Sequence, residues 1–338
     1  MQELDSGSLL GMLYAYQGSA ILMASNELGI YDALANGPLT GQEVAARLGT
    51  APRSTMLLLN ACVALGLLQK TGAQYANSPM AEKLLVRGRP GYLGRVVAKE
   101  QEFYQPWGWV SQAVRDDKAQ LPSMGERLRR DPATARNFLL ALHDLALLNG
   151  SALPEYVDLT GRHKLLDVGG GVGTFSILLA EKNPELHAVV LDLSPVRKLA
   201  EEMIASHGLS DRISFQAGDY HAPSLGEGYD VVLLSNILHD NSDESCHHLL
   251  AKAHRALIDG GLVVVNEFFL DEDGSSPPVG AIFSVLMMLE NHGAAEYPAE
   301  QIKTWLLETG FRDPVVHRLP EPSPMVVVVA HKGQHDEN

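Results

Sequence analysis

"KLLDVGGGVG", Lys164 to Gly173, is the stretch that decides the fold. An apolar run of strand length ends at Asp167 and Val168, and three glycines at 169, 171 and 173 then open the helical pattern "TFSILLAEK". Glycines at a strand-to-helix turn let the backbone reverse tightly and approach a ligand without a Cβ in the way. From here to the C-terminus strand and helix patterns alternate. "HAVVLDL" and "RISFQAGD" read as strands around the helix "PVRKLAEEMIASHG". "YDVVLLSN" and "GLVVVNEFFL" flank a helix that begins near Asp243. "MVVVVAHK" is a last strand with "PVVHRL" as its antiparallel partner. Alternation of this kind predicts a doubly wound, mostly parallel α/β sheet of Rossmann type, with its ligand crevice at the carboxyl ends of the strands.

The loop also says which ligand to expect. A dinucleotide fingerprint would place its third glycine at position 174, which is Thr174, so the phosphate-binding spacing fails. Asp167 beside the loop would repel a pyrophosphate and suits a ligand that carries an ammonium and a sulfonium, which describes S-adenosylmethionine (SAM), whose product is S-adenosylhomocysteine (SAH). Asp192, 25 positions after Asp167 and at the end of the second strand, is placed to accept hydrogen bonds from ribose hydroxyls. Asp219 and Tyr220 follow the third strand, where a carboxylate can take the adenine amino group and a ring can flank the base. Leu193, Gly218, Ser235 and Asn236 sit beside these acids at strand ends and complete the expected cofactor set. Any one of these acids can simply cap a helix; three at successive strand ends, beside a glycine loop, form a site.

At the end of the fourth strand the chain reads "NILHDNSDESC", with His239 and Asp240 just ahead of the next helix. A lone histidine at a turn is more often structural than catalytic, and its role depends on its neighbours. Removing a phenolic proton, with a pKa near 10, at neutral pH is a task for a positioned imidazole whose ordinary pKa lies near 6.5.

Upstream of residue 158 the pattern is helical. "PLTGQEVAARLGTAPRSTMLLLNACVALGLLQKTGAQYANS" has the order of a winged helix, with a hairpin around Gly72. Its second helix offers Arg53 as a cation and is otherwise apolar, and the chain carries a net charge of −15. Both oppose DNA contact, which needs cations on the phosphates, and the charge also opposes anionic membrane surfaces. The apolar excess, with "LLGMLYAYQGSAILMA" apolar on too many faces for a solvated helix, predicts a homodimer. The expected division is a winged-helix-like dimerisation domain over 1–95, connecting helices over 96–157 whose apolar residues wall a substrate cleft, the SAM-binding domain over 158–332, and a disordered tail over 333–338. Two separated cysteines, Cys62 and Cys246, lack zinc-ligand spacing and argue against a disulfide framework. The acidic N-terminus lacks the positive charge of a signal peptide, and no apolar run reaches the roughly 18 residues of a membrane span. A soluble cytoplasmic protein is expected.

Taken in order, "DVGGGVG", "LDLSPV", "GDY", "NILHDNSDESC" and "VVVNE", behind a winged-helix region, resemble the SAM-dependent O-methyltransferases of the plant caffeate, acetylserotonin and bacterial secondary-metabolite type. The resemblance runs from about Ser8 to Lys332. It implies a seven-stranded class I methyltransferase sheet and a homodimer built through the N-terminal helices. It also implies His239 as general base, with Glu267 and Glu296 beside it, Asp240, Met287 and Asn291 as substrate contacts, and no metal. Three positions depart from the family pattern: Asn241 replaces a tryptophan, Ser235 stands where a cation is frequent, and Glu290 and His292 are polar where relatives are apolar. The expected activity is O-methylation of a small hydroxylated aromatic or heteroaromatic in bacterial secondary metabolism. The alternatives are N-, C- or S-methylation or another SAM-dependent reaction on the same fold, and, from other classes, a ligand-sensing DNA-binding regulator or a catalytically silent partner.

Overall fold

The computed structural model describes residues 5–333. Two compact units divide between Tyr104 and Gln105. The expected boundary at residue 95 falls inside the helix Gly94–Tyr104, which the first unit retains by contacts with its first helix. Asn26 Nδ2 donates to the Gly94 carbonyl (2.9 Å) and Gln101 Nε2 to Glu27 Oε2 (2.6 Å). Residues 334–338, most of the expected tail, lie outside the described residues.

In the first unit, helices Ser6–Glu27 and Ile30–Leu34 precede strand β1 (Leu39–Thr40). Helices Gly41–Leu48 and Pro52–Ala64 then lead into β2 (Leu68–Thr71) and β3 (Gln74–Asn77), which form a three-stranded antiparallel sheet in the order β1-β3-β2. Local chemistry sets these limits. Thr40 caps the first of the pair, Glu43 returning a bond to the Thr40 N–H (2.7 Å), and Gly49 stops it with φ +66°. Pro52 then begins the next helix, where a missing N–H does no harm. Ile30, Tyr31, Val44, Leu59, Cys62 and Tyr75 close a small core. The helix Ser6–Glu27 buries only Ser25, while Leu9, Leu10, Met12, Leu13, Tyr14 and Tyr16 stand exposed.

The second unit is built on a seven-stranded sheet of β4 (Lys164–Val168), β5 (His187–Asp192), β6 (Ile213–Ala217), β7 (Tyr229–Ser235), β8 (Leu257–Phe268), β9 (Phe311–Arg318) and β10 (Met325–Lys332). Its order is β6-β5-β4-β7-β8-β10-β9. The first five strands in that order run parallel, and β10 is antiparallel to both β8 and β9. Both faces are covered, which is why the central strands read as unbroken apolar runs. Leu165, Val231, Leu233 and Val264 pack to one side with Ile177, Leu179, Ala200 and Ile204. Leu166, Val232, Leu234 and Val265 pack to the other with Leu249, Leu250, Trp305 and Leu306. Strand order reverses at β4, so the crevice opens beyond the carboxyl ends of β4 and β7, where the glycine loop and His239 emerge.

Candidate active site

The glycine loop has the geometry its spacing predicts. Gly169, Gly171 and Gly173 have φ of +63°, +57° and +81°, the left-handed region that favours glycine. A Cβ on Gly169 would also meet Ile237 Cδ1 at 2.2 Å, whereas at Gly171 the space is open and only the backbone angle demands glycine. Gly170, which the spacing argument passed over, has its own reason: a Cβ there would lie 2.5 Å from the Asp167 carboxyl. That carboxyl is buried and accepts from Ser176 Oγ at 2.7 Å. Burial pushes its pKa up to about 7 against the pull of Ser176, with the Asp192 charge adding to the rise.

Asp192 braces the loop from the next strand. Its Oδ2 accepts the Gly171 N–H at 2.7 Å and its Oδ1 the Leu193 N–H at 2.6 Å, and burial raises this carboxyl too. Gly218 donates its N–H to the Asp192 carbonyl, and any Cβ at 218 would meet Leu191 at 2.7 Å. Asp219 accepts from the His221 N–H (2.8 Å) and so shapes the turn after β6. Tyr220 leans toward the loop, its Cδ1 3.7 Å from where a Gly169 Cβ would sit. This turn is held by a residue that pattern reading missed. The buried Lys252, from the helix Asp243–Ala256, donates to the Tyr220 and Ala222 carbonyls. Its signal was a cation on the apolar side of an amphipathic helix. Ser235 Oγ accepts from the side-chain amides of Asn266 (2.9 Å) and Asn236 (3.2 Å), the latter residue at φ +56°. Asn266 was also missed, although it immediately precedes Glu267 in "VVVNE". The carboxyls of Asp167 (buried), Asp192 (half-buried) and Asp219 (exposed), set around a backbone without side chains, suit a cationic ligand that lies close to the main chain, which fits SAM.

His239 lies in the short 3-10 turn Leu238–Asp240 after β7, and Glu267 lies beside it on β8. Glu267 Oε1 accepts the N–H groups of Ile237 and Leu238, both at 2.8 Å, and Oε2 lies 2.6 Å from His239 Nδ1. One carboxylate therefore holds the turn and orients the ring. Glu296 Oε1 stands 3.2 Å from the same Nδ1, and the backbone N–H of Glu296 donates to Ser284 Oγ. With Nδ1 occupied by glutamates, Nε2 is the nitrogen that faces away from them, 3.9 Å from Asp240 Oδ1. Phe283 meets the ring edge-on at 5.1 Å. Burial alone would lower the imidazole pKa; the charges of Glu267 and then Glu296 outweigh it and hold the ring well above its ordinary value. Burial drives Glu296 up to about 7. The three side chains offer atoms within 4.8 Å of one another, a spacing also found among metal ligands. A tetrahedral ion with bonds near 2.1 Å would spread its ligand atoms to about 3.4 Å. At 2.6 Å, Nδ1 and Oε2 are instead at hydrogen-bond distance of each other.

Asn241 shows what replaces the family's tryptophan. Its Nδ2 donates to the Ile237 carbonyl (2.7 Å) and toward Tyr220 Oη (3.4 Å), and its own carbonyl accepts from Tyr297 Oη (2.6 Å). The turn carrying His239 is thus gripped on its N–H side by Glu267 and on its C=O side by Asn241. The helix Pro278–Glu290 places Phe283, Met287 and Glu290 on one face by i, i+4, i+7 spacing. Asn291 caps that helix, its N–H bonded to the Met287 carbonyl. The 3-10 turn Pro106–Trp109, which carries Trp107 and Trp109, and the helix Val110–Asp116 pack against the same helix.

Comparison with known proteins gives the family. Residues 107–312 match the model of an O-methyltransferase domain, and residues 10–87 that of an O-methyltransferase dimerisation domain. The chain is 35% identical over 316 residues to a 3-hydroxy-5-methyl-1-naphthoate 3-O-methyltransferase of Streptomyces sahachiroi, covering 92% of this chain and 91% of the relative. It is 32% identical over 317 residues to the N,N-dimethyltransferase OxyT of Streptomyces rimosus, covering 90% of each. It superposes on human N-acetylserotonin methyltransferase in complex with SAM with a TM-score of 0.88 at 27% identity, covering 99% of this chain and 100% of the other. The chain belongs to the SAM-dependent O-methyltransferase family, with a dimerisation domain ahead of its methyltransferase domain.

Proposed function

We propose that this enzyme methylates a hydroxyl of a small aromatic or heteroaromatic metabolite in bacterial secondary metabolism, with His239 as the general base. The observation that carries the reading is the buried His239–Glu267 contact, which commits Nδ1 and leaves Nε2 to meet an O–H. When bound, SAM supplies the methyl group and a sulfonium leaving group. Gly169, Gly171 and Gly173 let the main chain approach it, Asp192 accepts from its ribose, and Asp219 and Tyr220 receive its adenine. Asp167, with Leu193, Gly218, Ser235 and Asn236, completes that side. Asp240, Met287 and Asn291 contact the acceptor. As the acceptor oxygen attacks, its proton passes to Nε2, and Glu267 stabilises the imidazolium through Nδ1–H. The apolar wall of Phe283 and Met287 excludes water and holds the ring of the acceptor in line.

A relative that methylates nitrogen keeps a second reading open, N-methylation on the same scaffold. A neutral amine is already nucleophilic, whereas a phenol needs a base, so the buried imidazole favours oxygen. Purified protein with SAM, offered phenols, phenazines, hydroxypyrroles and polyketides, is expected to add one methyl group to oxygen in at least one class by mass spectrometry. Methylation confined to amines would reassign the reaction. The working form is proposed to be a homodimer in the cytoplasm, supported by the matched dimerisation domain, the exposed apolar helix Ser6–Glu27 and two buried thiols. No helix among the described residues is long and apolar enough to cross a membrane.

A further inference from the structure

Proton transfer and cofactor binding leave two charged side chains at the end of the Phe283 helix unaccounted for. Arg127, on the helix Met124–Arg130, forms an ion pair with Glu290, the last residue of the helix that presses Phe283 onto His239. Both side chains are largely buried, at 15% and 11% exposure, so the charges meet with little water between them. The guanidinium also lies over the Phe138 ring at 4.9 Å. The pair is built into the backbone: the N–H groups of Gln120 and Leu121 bond to the Leu289 carbonyl at 2.8 and 3.0 Å, fixing the helix end against the chain that leads to Arg127. Phe283, Met287 and Glu290 share one helix face, so the pair stands on the same wall as the ring that touches the base. Asp240 lies within electrostatic reach of both Glu290 and Arg127.

Charge around the reacting position is therefore lopsided. Asp240, Glu267, Glu290 and Glu296 are four acids, against Arg127 and the imidazole. An arginine fork is the group best made to hold a carboxylate, and here it is already committed to an internal one. Such a buried pair adds little to stability compared with apolar packing, so its presence calls for another role.

We infer that the Arg127–Glu290 pair sets acceptor charge: Glu290 occupies the guanidinium, and the pocket admits uncharged hydroxyaromatics while rejecting those bearing a carboxylate. The inference rests on the O-methyltransferase reading and names the substrate class within it. An incoming carboxylate meets Asp240 and Glu290 while the Arg127 guanidinium is already paired and the imidazole already faces Glu267 and Glu296, so it loses its hydration without full recompense.

The test uses the full-length protein saturated with SAH, titrated by calorimetry with 2-naphthol and with 6-hydroxy-2-naphthoate. The wild type should bind the naphthol at least about tenfold more tightly, the scale of an unmatched buried charge. Glu290→Gln should shift that ratio about tenfold or more toward the hydroxynaphthoate, and Arg127→Met should shift it further toward the naphthol. SAH affinity, expected to stay within about twofold in both variants, reports that each is folded; if one is not, the ratio in the other still decides. A wild type that fails to bind the naphthol or prefers the hydroxynaphthoate, or a folded variant with the wild-type ratio, overturns the inference. Naphthol that binds but is never methylated on oxygen in the presence of SAM counts against the O-methylation reading and not against this one.

Discussion

At the scale of single residues, the proposed base and its partners make opposite demands on protons. His239 sits well above its ordinary pKa because two carboxylates face one ring nitrogen, so the resting ring is protonated and the active fraction grows as pH rises. The rate should climb with pH along a limb lying above the usual imidazole range near 6.5. Glu296→Gln, which removes one of the two raising charges, should move that limb to lower pH; an unchanged midpoint would exclude Glu296 from the base's electrostatics. His239→Gln should lower kcat by roughly 10²–10⁴-fold and leave SAH affinity nearly intact. If the histidine only held the turn, the variant would melt earlier and turn over normally. Asp167 gives a stability prediction of definite sign. Its pKa rises from 3.8 to about 7 on folding, so the folded state keeps a proton that the unfolded chain releases, and stability falls as pH rises through that window. Asp167→Asn can still accept from Ser176. It should raise the Tm of the ligand-free protein at pH 8, with the gain closing toward pH 4, as scanning calorimetry would show.

At the scale of elements, the strand-to-helix turns carry the site because each is overdetermined by backbone contacts. The turn from Ile237 to Asn241 is held by Glu267 through two N–H groups and by Asn241 through a carbonyl. Asn241→Leu removes one grip, and about 1 kcal/mol of stability should go with it, because the Ile237 carbonyl loses its 2.7 Å bond and keeps the longer one from the Asp240 N–H at 3.2 Å. Chemical denaturation at pH 7 measures this directly. The glycine loop is less forgiving. Gly169→Ala combines a left-handed backbone angle with a Cβ only 2.2 Å from Ile237, so SAH binding should be lost while the β-sheet circular dichroism persists. Asp192→Ala, which frees the Gly171 and Leu193 amides and removes the expected ribose acceptor, should weaken SAH binding by about 1–3 kcal/mol in calorimetry.

At the scale of the whole molecule, the first unit leaves Leu9, Leu10, Met12, Leu13 and Tyr16 in solvent on one helix. A contiguous apolar surface of this kind marks an association site. Light scattering at low micromolar concentration should return twice the 36.6 kDa chain mass, and a monomer mass would contradict the homodimer. Duplex DNA added to the same sample should leave the signal unchanged at any salt concentration, as expected for a net charge of −15 and a second helix whose only cation is Arg53.

Much of this was legible in the chain because it is local. Strand and helix periods, the three glycines and the acids at the ends of β4 and β5 depend on residues near one another in sequence, and the strands formed where the apolar runs lie. Where relations are long-range, pattern reading ran short. Gly170 has its reason only once the Asp167 carboxyl turns back beneath it. Lys252 reaches 32 positions back to hold the Tyr220 turn, and Asn266 meets Ser235 across adjacent strands. The family resemblance named His239, Glu267 and Glu296, but only the sheet, by setting Ser235 against Asn266 in register, brings the first two within 2.6 Å. The same holds for Arg127 and Glu290, 163 residues apart. Their pairing follows from two helix ends packed by the tertiary fold, because burial leaves each charge no other place to go.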